Sequence, residues 1–241
     1  EIELRFPGLP ADLDGLRIAQ LTDIHFGAFL GSRELARAVG MANEWRPHLA
    51  AVTGDFITDR GDPLDECLRV LAGLRSSDGL YACCGNHEAY ARAEAYCTVR
   101  SARLGIHTLR GRSRLLRFGA SLLNLAGVDH QRDRRNYLAG ADRLLAPGAF
   151  NLLLSHNPDV FPVAARQGFP LVLAGHTHGG QLALEAPGIS LSLSRFFTPF
   201  VGGLYRLGQS HLYVSRGIGT VGVPMRLGVP PEVTLIRLRS A

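Results

Sequence analysis

The chain of 241 residues is 46% hydrophobic and 20% charged, and no Pro/Ser-rich linker, low-complexity segment or internal repeat divides it. That excludes two small domains in tandem and predicts one large globular unit, α/β or barrel, with a substantial core. Its formal charge is +5 and its basic residues are all arginine, so it attracts anions without distinguishing nucleic acid, membrane surface and small phosphates.

In chain order, five apolar runs each end in residues that can ligate a metal. LRIAQLTDIH ends in Asp23 and His25, HLAAVTGD in Asp55, GLYACCGNHE in Asn86, His87 and Glu88, FNLLLSH in His156, and LVLAGHTH in His176 and His178. Helix-like segments lie between them. Ser32 opens one carrying Leu35, Val39, Ala42 and Trp45 and ended by Pro47; Asp62 and Pro63 read as N-cap and first residue of another, with Leu64, Cys67, Leu68 and Leu71 on one stripe. Glu88–Leu104 reads as a third helix and Asp159–Gln167 as a short fourth. Strands alternating with helices imply a mainly parallel sheet, with ligand residues gathered outside the carboxyl ends of its strands. In RLLRFGASLLNLAGV, SLSLSRF, HLYVSR and VTLIRLR strands follow strands, which predicts antiparallel pairs. The expected fold is α/β: two mixed sheets packed on each other with helices outside, a four-layer α-β-β-α sandwich.

If Leu171–Ala174 form a strand, an extended chain beyond it sends His176 and His178 to one side and Thr177 to the other, while Gly175, Gly179 and Gly180 allow close approach. Oxygen and nitrogen donors without thiolate suit Mn²⁺, Fe²⁺, Zn²⁺ or Co²⁺ better than a structural zinc. The cysteines (Cys67, Cys83, Cys84 and Cys97) lack metal-site spacing and read as packed thiols. The donors are too many for one ion; two ions about 3.5–4 Å apart, bridged by a carboxylate, account for them.

Asp23-x-His25, Gly54-Asp55, Gly85-Asn86-His87-Glu88, His156 and Gly175-His176-Thr177-His178 resemble the five ordered signatures of the calcineurin-like metallophosphoesterases, over residues 21 to 178. LLSHNPDVF, AGHTHGGQ and YVSRGIGTVGVPMRLGVPPEVTLIRL are similar to a bacterial, membrane-associated branch that includes lipid-acting phosphodiesterases and UDP-2,3-diacylglucosamine hydrolases. The resemblance implies a single domain over residues 1–241 with Asp23, His25 and His178 on one ion, Asn86, His156 and His176 on the other, and Asp55 bridging. Manganese is the first expectation for both ions, with iron or zinc as alternatives. His87 is implied to stay uncoordinated beside the scissile phosphate, stabilising the transition state or protonating the leaving oxygen, while hydroxide held between the ions attacks in line. The implied reaction is hydrolysis of a phosphodiester or pyrophosphate of a lipid or nucleotide-lipid. A nuclease or nucleotide phosphodiesterase on the same site is one alternative, and a catalytically silent metal-binding scaffold another. GDFITDR departs from the family pattern by one extra residue before Asp59 and Arg60, so these two are left outside the site. Glu88 is read as a supporting or helix-capping group.

His130 ends another apolar run at the rim, and the arginines that follow, Arg132, Arg134 and Arg135, are candidate substrate contacts or a solvated loop. RGIGTVG, residues 216 to 222, precedes no helix pattern and reads as a turn or active-site wall; His48, His107 and His211 lie at the opposite strand ends and read as structural. Residues 188 to 208 gather Phe196, Phe197, Phe200, Leu204 and Tyr205 beside Arg195 and Arg206. They form either a packed loop and strand pair or a lip that meets a membrane surface bearing anionic lipid. The branch resemblance implies membrane association, peripheral or through an amino-terminal segment absent from this chain. The expected partners are a phosphoester substrate and that surface, with no stable nucleic-acid partner.

Overall fold

The apolar runs become strands buried on both faces, which is why they are unbroken rather than alternating. A computed structural model describes residues 1–186 and 189–241, with residues 183–186 and 189–193 described by their backbone alone. In chain order the strands and helices are β1 (Ile2–Phe6), β2 (Arg17–Leu21), α1 (Ser32–Glu44), β3 (Leu49–Thr53), α2 (Leu64–Leu71), β4 (Leu80–Cys83), α3 (Asn86–Ala91), α4 (Glu94–Arg103) and β5 (Ile106–Thr108). There follow β6 (Arg112–Phe118), β7 (Ser121–Val128), β8 (Phe150–Ser155), α5 (Phe161–Gln167), β9 (Leu171–Ala174), β10 (Ala183–Ala186), β11 (Ile189–Ser192), β12 (Gly203–Leu207), β13 (Ser210–Val214) and β14 (Thr234–Ser240).

The first sheet has the order β1-β14-β2-β3-β4-β5 and the second β12-β13-β9-β8-β7-β6; β10 and β11 form a separate hairpin. Within the first, β2 to β5 run parallel and β14 runs against β2. Within the second, β7, β8, β9 and β13 run parallel between antiparallel edges β6 and β12. Three apolar clusters separate four layers. Leu35, Val39, Leu68 and Leu71 of α1 and α2 pack on one face of the first sheet, Ile18, Leu125, Leu152 and Ile236 meet between the sheets, and Phe161 and Ala164 of α5 cover Leu153 and Val172 of the second.

Several local expectations change. Glu88–Leu104 is two helices, broken where Arg92 turns left-handed at φ 54° and the Ala93 N–H closes on the Glu88 carbonyl. Asp62 does not cap α2, which starts after Pro63; its carboxylate instead accepts from the Thr58 and Asp59 N–H groups at 2.8 and 2.9 Å. Only Phe161–Gln167 of the fourth segment is α-helical, preceded by a 3-10 turn at Pro158–Val160. HLYVSR pairs antiparallel with β12 but parallel with β9, VTLIRLR pairs parallel with β1 and antiparallel with β2, and the second half of SLSLSRF is a 3-10 turn. All four cysteines are buried free thiols. His48 and His211 keep structural places, the first accepting from the Arg17 N–H at 2.9 Å and the second packed edge-on against Phe6; His107 stacks on Tyr81.

Candidate metal centre

Three parallel strands, β2, β3 and β9, hand the chain to sharp turns at their carboxyl ends. Asp23, His25, Asp55, His176 and His178 all have left-handed backbones, at φ 49°, 47°, 52°, 78° and 53°. L-residues seldom adopt this region, and each instance costs roughly 1–3 kcal/mol unless the surroundings impose it. The expected extended path through His176 and His178 is therefore not what the chain takes. Thr177 is right-handed between two left-handed histidines, which sends the His176 ring to His156 and the His178 ring to His25. Thr177 does point away, donating its hydroxyl to the Val201 carbonyl.

The turns can crowd together because glycines adjoin them. A Cβ on Gly85 would stand 2.0 Å from Asp55 Oδ1, and one on Gly175 would stand 2.2 Å from Asp23 Oδ2. RGIGTVG forms the wall expected of it, since a Cβ on Gly219 would meet the Ile24 carbonyl at 2.0 Å and the Gly219 N–H donates to the Asp23 carbonyl at 2.8 Å.

Asp23, Asp55, Asn86, His25, His156, His176 and His178 converge. His25 Nε2 lies 3.1 Å from His178 Nε2, and Asp23 Oδ1 lies 3.5 Å from that same His178 atom. His156 Nε2 lies 3.0 Å from Asp55 Oδ2, 3.1 Å from Asn86 Oδ1 and 3.2 Å from His176 Nδ1. Asp23, His25 and His178 form one donor group and Asp55, His156 and His176 another; His25, Asp55 and His87 make a third that overlaps both. These oxygen and imidazole donors, crowded in two sets linked by a third that shares His25 with one and Asp55 with the other, suit two divalent ions.

The ring orientations are fixed from behind. His156 Nδ1 lies 2.7 Å from the Thr53 carbonyl, which requires N–H there and turns Nε2 to the donors; burial opposes charge on this ring, but Asp55 and Asp23 lift it to about 10, so Nε2 holds a proton that a bound cation would replace. His25 Nδ1 is anchored at 3.0 Å to Thr58 Oγ1 and His87 Nδ1 at 2.8 Å to the Thr58 carbonyl. Burial pushes the His25 imidazole down to about 4, His176 to about 3 and His178 well below the ordinary histidine range. Held neutral by burial, these three rings each keep a lone pair that a cation can take. Burial also lifts Asp23 to about 6. At Asp55 burial pulls the same way, but the charge and hydrogen bond of His156 hold the carboxyl far below the usual range.

Glu88 takes the supporting role expected of it. Its buried carboxylate accepts from the N–H groups of Asp55, Phe56 and Gly85 at 2.9, 2.8 and 2.8 Å, with Ile57 at 3.3 Å. Sequence reading missed Thr58, which positions both His25 and His87 although Asp59 and Arg60 beside it take no part in the cluster. It also missed Arg226, whose guanidinium donates to the carbonyls of Arg216, Gly219 and His178, and Gln181, which grips the main chain of Val221 and Val223.

Arg132 and Arg134 line a recess with His130 and His176, but Arg135 does not. Arg132 lies over the Tyr90 ring at 4.4 Å, and Arg134 bonds to the Phe197 carbonyl at 2.9 Å and pairs with Asp159 at 3.4 Å. The segment predicted as a lip divides in two. Phe196 and Phe197 are 85% and 74% exposed, whereas Phe200 and Tyr205 pack edge-on against each other beside Phe161. Residue 188, at its start, lies outside the described residues. Among the described residues, no helix is long and apolar enough to cross a membrane.

The family description calcineurin-like phosphoesterase matches residues 16–180. A transmembrane protein with metallophosphoesterase domain from Danio rerio is 32% identical over the whole of this chain, which spans 57% of that relative; the Bos taurus protein of the same description is 30% identical, with 56% of it spanned. Phosphodiesterase YaeI of Escherichia coli is 30% identical across 92% of this chain and 82% of its own length. Among solved structures, sulfate thiohydrolase SoxB of Thermus thermophilus shares the fold, with a TM-score of 0.55 and 12% identity over 94% of this chain and 57% of its own.

Proposed function

The chain belongs to the calcineurin-like phosphoesterase family, and from that premise we propose that it hydrolyses phosphodiesters at two divalent ions. Asp23, His25 and His178 would hold one ion, Asn86, His156 and His176 the other, and Asp55 would serve both; manganese is the first assignment, iron or zinc the alternatives. The observation that carries this reading is the convergence of buried oxygen and nitrogen donors whose opposite edges are already tied to Thr53 and Thr58. When bound, such a pair of ions supplies a hydroxide near neutral pH and neutralises the phosphoryl oxygens.

The chain's own residues do the rest. Asp55 would offer its carboxylate to both ions, and its Oδ1 accepts from the His87 N–H at 3.0 Å, which ties this carboxylate to the acid. With Nδ1 spent on Thr58, His87 has Nε2 to carry a proton to the leaving oxygen. Its ring centroid lies 4.7 Å from that of His25, beside the centre, and its membership of a donor group with His25 and Asp55 reflects that proximity.

A lipid or nucleotide-lipid substrate, met at a membrane surface, is the finer part of the proposal. It is supported by the bare Phe196 and Phe197 next to exposed Arg195. Metal analysis after reconstitution with Mn²⁺, followed by rates on lipid, nucleotide and nucleic-acid diesters, tests the whole reading. Two ions per chain and turnover fastest on the lipid diester are expected. Fastest turnover on nucleic acid would make it a nuclease, and two ions with no turnover on any diester would make it a silent scaffold.

A further inference from the structure

Two unlike recesses open beside His176, and Phe197 lines both. The larger, of about 490 Å³, reaches past His178 along Leu182, Phe197, Val221 and Val223, and among the described residues no charged side chain lines it. The smaller, of about 260 Å³, is lined by His130, Arg132, Arg134, Tyr137, Asn157 and Asp159, whose carboxylate is engaged by Arg134 and by the Thr198 hydroxyl. Neither is remote from the chemistry, because His176 belongs to the donor cluster itself.

The apolar recess has its shape imposed on it. Gln181 accepts from the Val221 N–H at 2.9 Å and donates to the Val221 and Val223 carbonyls at 3.0 Å each, so the strip bearing Val221 and Val223 is held by its main chain. Val223 nevertheless remains 45% exposed and Phe197 74% exposed. An aliphatic chain laid along this strip removes apolar surface from water at both places, which favours longer chains.

The polar recess differs in kind. Arg132 has no carboxylate partner among the described residues and is braced on the Tyr90 face, a position that directs a planar cation without neutralising it. His130 stands with its ring centroid 5.2 Å from that of His176. Its Nδ1 is buried and has no hydrogen-bond partner among the described residues. Native proteins rarely leave such an atom unpaired without a functional reason. No group among the described residues fixes its tautomer, so the ring can offer N–H or a lone pair to whatever enters beside it.

We propose that the recesses sort the two arms of the substrate: an aliphatic ester arm lies along Leu182, Val221 and Val223, and an anionic arm enters beside His130 and Arg132. The inference rests on the phosphodiesterase reading above and names its substrate class, an asymmetric diester with one apolar and one anionic alcohol. Hydrolysis of such a diester forms one bond from water oxygen to phosphorus, breaks one ester P–O bond and leaves a proton on the departing alcohol, so no further reactant is needed.

Four soluble diesters test this, carrying butyl or octyl on one arm and hydroxyethyl or phosphoethyl on the other, with products measured by mass spectrometry on Mn²⁺-loaded protein. In the wild type, kcat/KM rises about tenfold or more from butyl to octyl and about tenfold from hydroxyethyl to phosphoethyl, the scale of one hydrogen bond to a charged group. Val223→Asp abolishes the octyl preference and retains the phosphoethyl preference; His130→Gln and Arg132→Gln do the reverse. Binding of a non-hydrolysable octyl phosphonate, followed by calorimetry, shows the same loss in Val223→Asp and none in Arg132→Gln. Equal wild-type rates on all four diesters, or both preferences lost together in any variant, overturn the sorting while the phosphodiesterase reading stands. No hydrolysis of any of them, nor of bis-p-nitrophenyl phosphate, overturns that reading and the sorting with it.

Discussion

The inner ring of donors and the outer rim of loops are built by opposite rules. The ring sits at strand ends, takes all its side chains but Asn86 and His156 from left-handed turns, and has nearly every polar edge answered by a main-chain or side-chain partner. The rim, at residues 130 to 137, 194 to 198 and 221 to 227, exposes phenylalanine, valine and methionine and leaves His130 Nδ1 unanswered. The difference teaches where each kind of specificity resides. Chemistry is set by backbone strain that the surrounding fold over-determines, whereas choice of substrate is left to side chains that can change without disturbing a strand.

The strongest way to break this contrast is at the bridge. Asp55→Asn removes the charge that offsets repulsion between two ions, and metal affinity should fall by more than about 100-fold, beyond the loss seen when mere supporting partners are removed. Metal content measured after dialysis checks it; full double occupancy with normal turnover in the variant would contradict the assignment. His87→Gln should keep both metals and slow hydrolysis by about 10²–10⁴-fold. The loss should shrink on a nitrophenyl diester relative to an alkyl diester, and equal losses on both would argue against proton donation from Nε2.

A change behind the ring should cost stability before chemistry. Glu88→Ala leaves several buried N–H groups without an acceptor, each worth about 1–3 kcal/mol. Urea unfolding should shift by at least that much; an unchanged midpoint would mean that the two loops are held some other way. Acid sharpens the same point in metal-stripped protein. His25 and His130, at about 4, His176, at about 3, and His178 take up protons on unfolding below the ordinary value near 6.5, so their stabilisation is present above 6.5 and drains away as pH falls toward 4. Asp23, at about 6, Glu88, at about 7, and His156, lifted to about 10, work against this, but they are outnumbered by the lowered histidines, which burial extends to His48 and His211. The urea midpoint should be lower at pH 5 than at pH 7, and a higher one would overturn the balance.

The smallest effect belongs to the rim. Phe196→Ser/Phe197→Ser should leave the thermal midpoint within a degree or so, since surface changes usually cost under about 0.5 kcal/mol, and should weaken sedimentation with anionic vesicles several-fold. Wild-type binding that ignores these residues, or none to any vesicle, would leave the segment with a packing role alone.

Much of the ring was legible because strands buried on both faces read as unbroken apolar runs, and each run stops where ligand-type residues begin. The left-handed turns were not legible, since Asp23, His25 and His178 carry no local mark of the conformation that the fold imposes on them. Nor was the break between α3 and α4, which falls at Arg92 without glycine or proline. Arg226 stands 48 residues from the His178 carbonyl it binds, a partnership that only the packed sheets reveal. At the lip, Phe196 and Phe200 have one chemistry and opposite surroundings, which composition cannot separate.

Glu88 carries a consequence for how the molecule moves. One carboxylate clasps the loop that leaves β3 and the loop that leaves β4, and those loops bear Asp55 and Asn86. To open either loop the clasp must let go of both, so the shared bridge and the amide donor beside it come apart together or stay together. The two loops therefore open as one cooperative unit, and Asp55 and Asn86 leave or keep their places together.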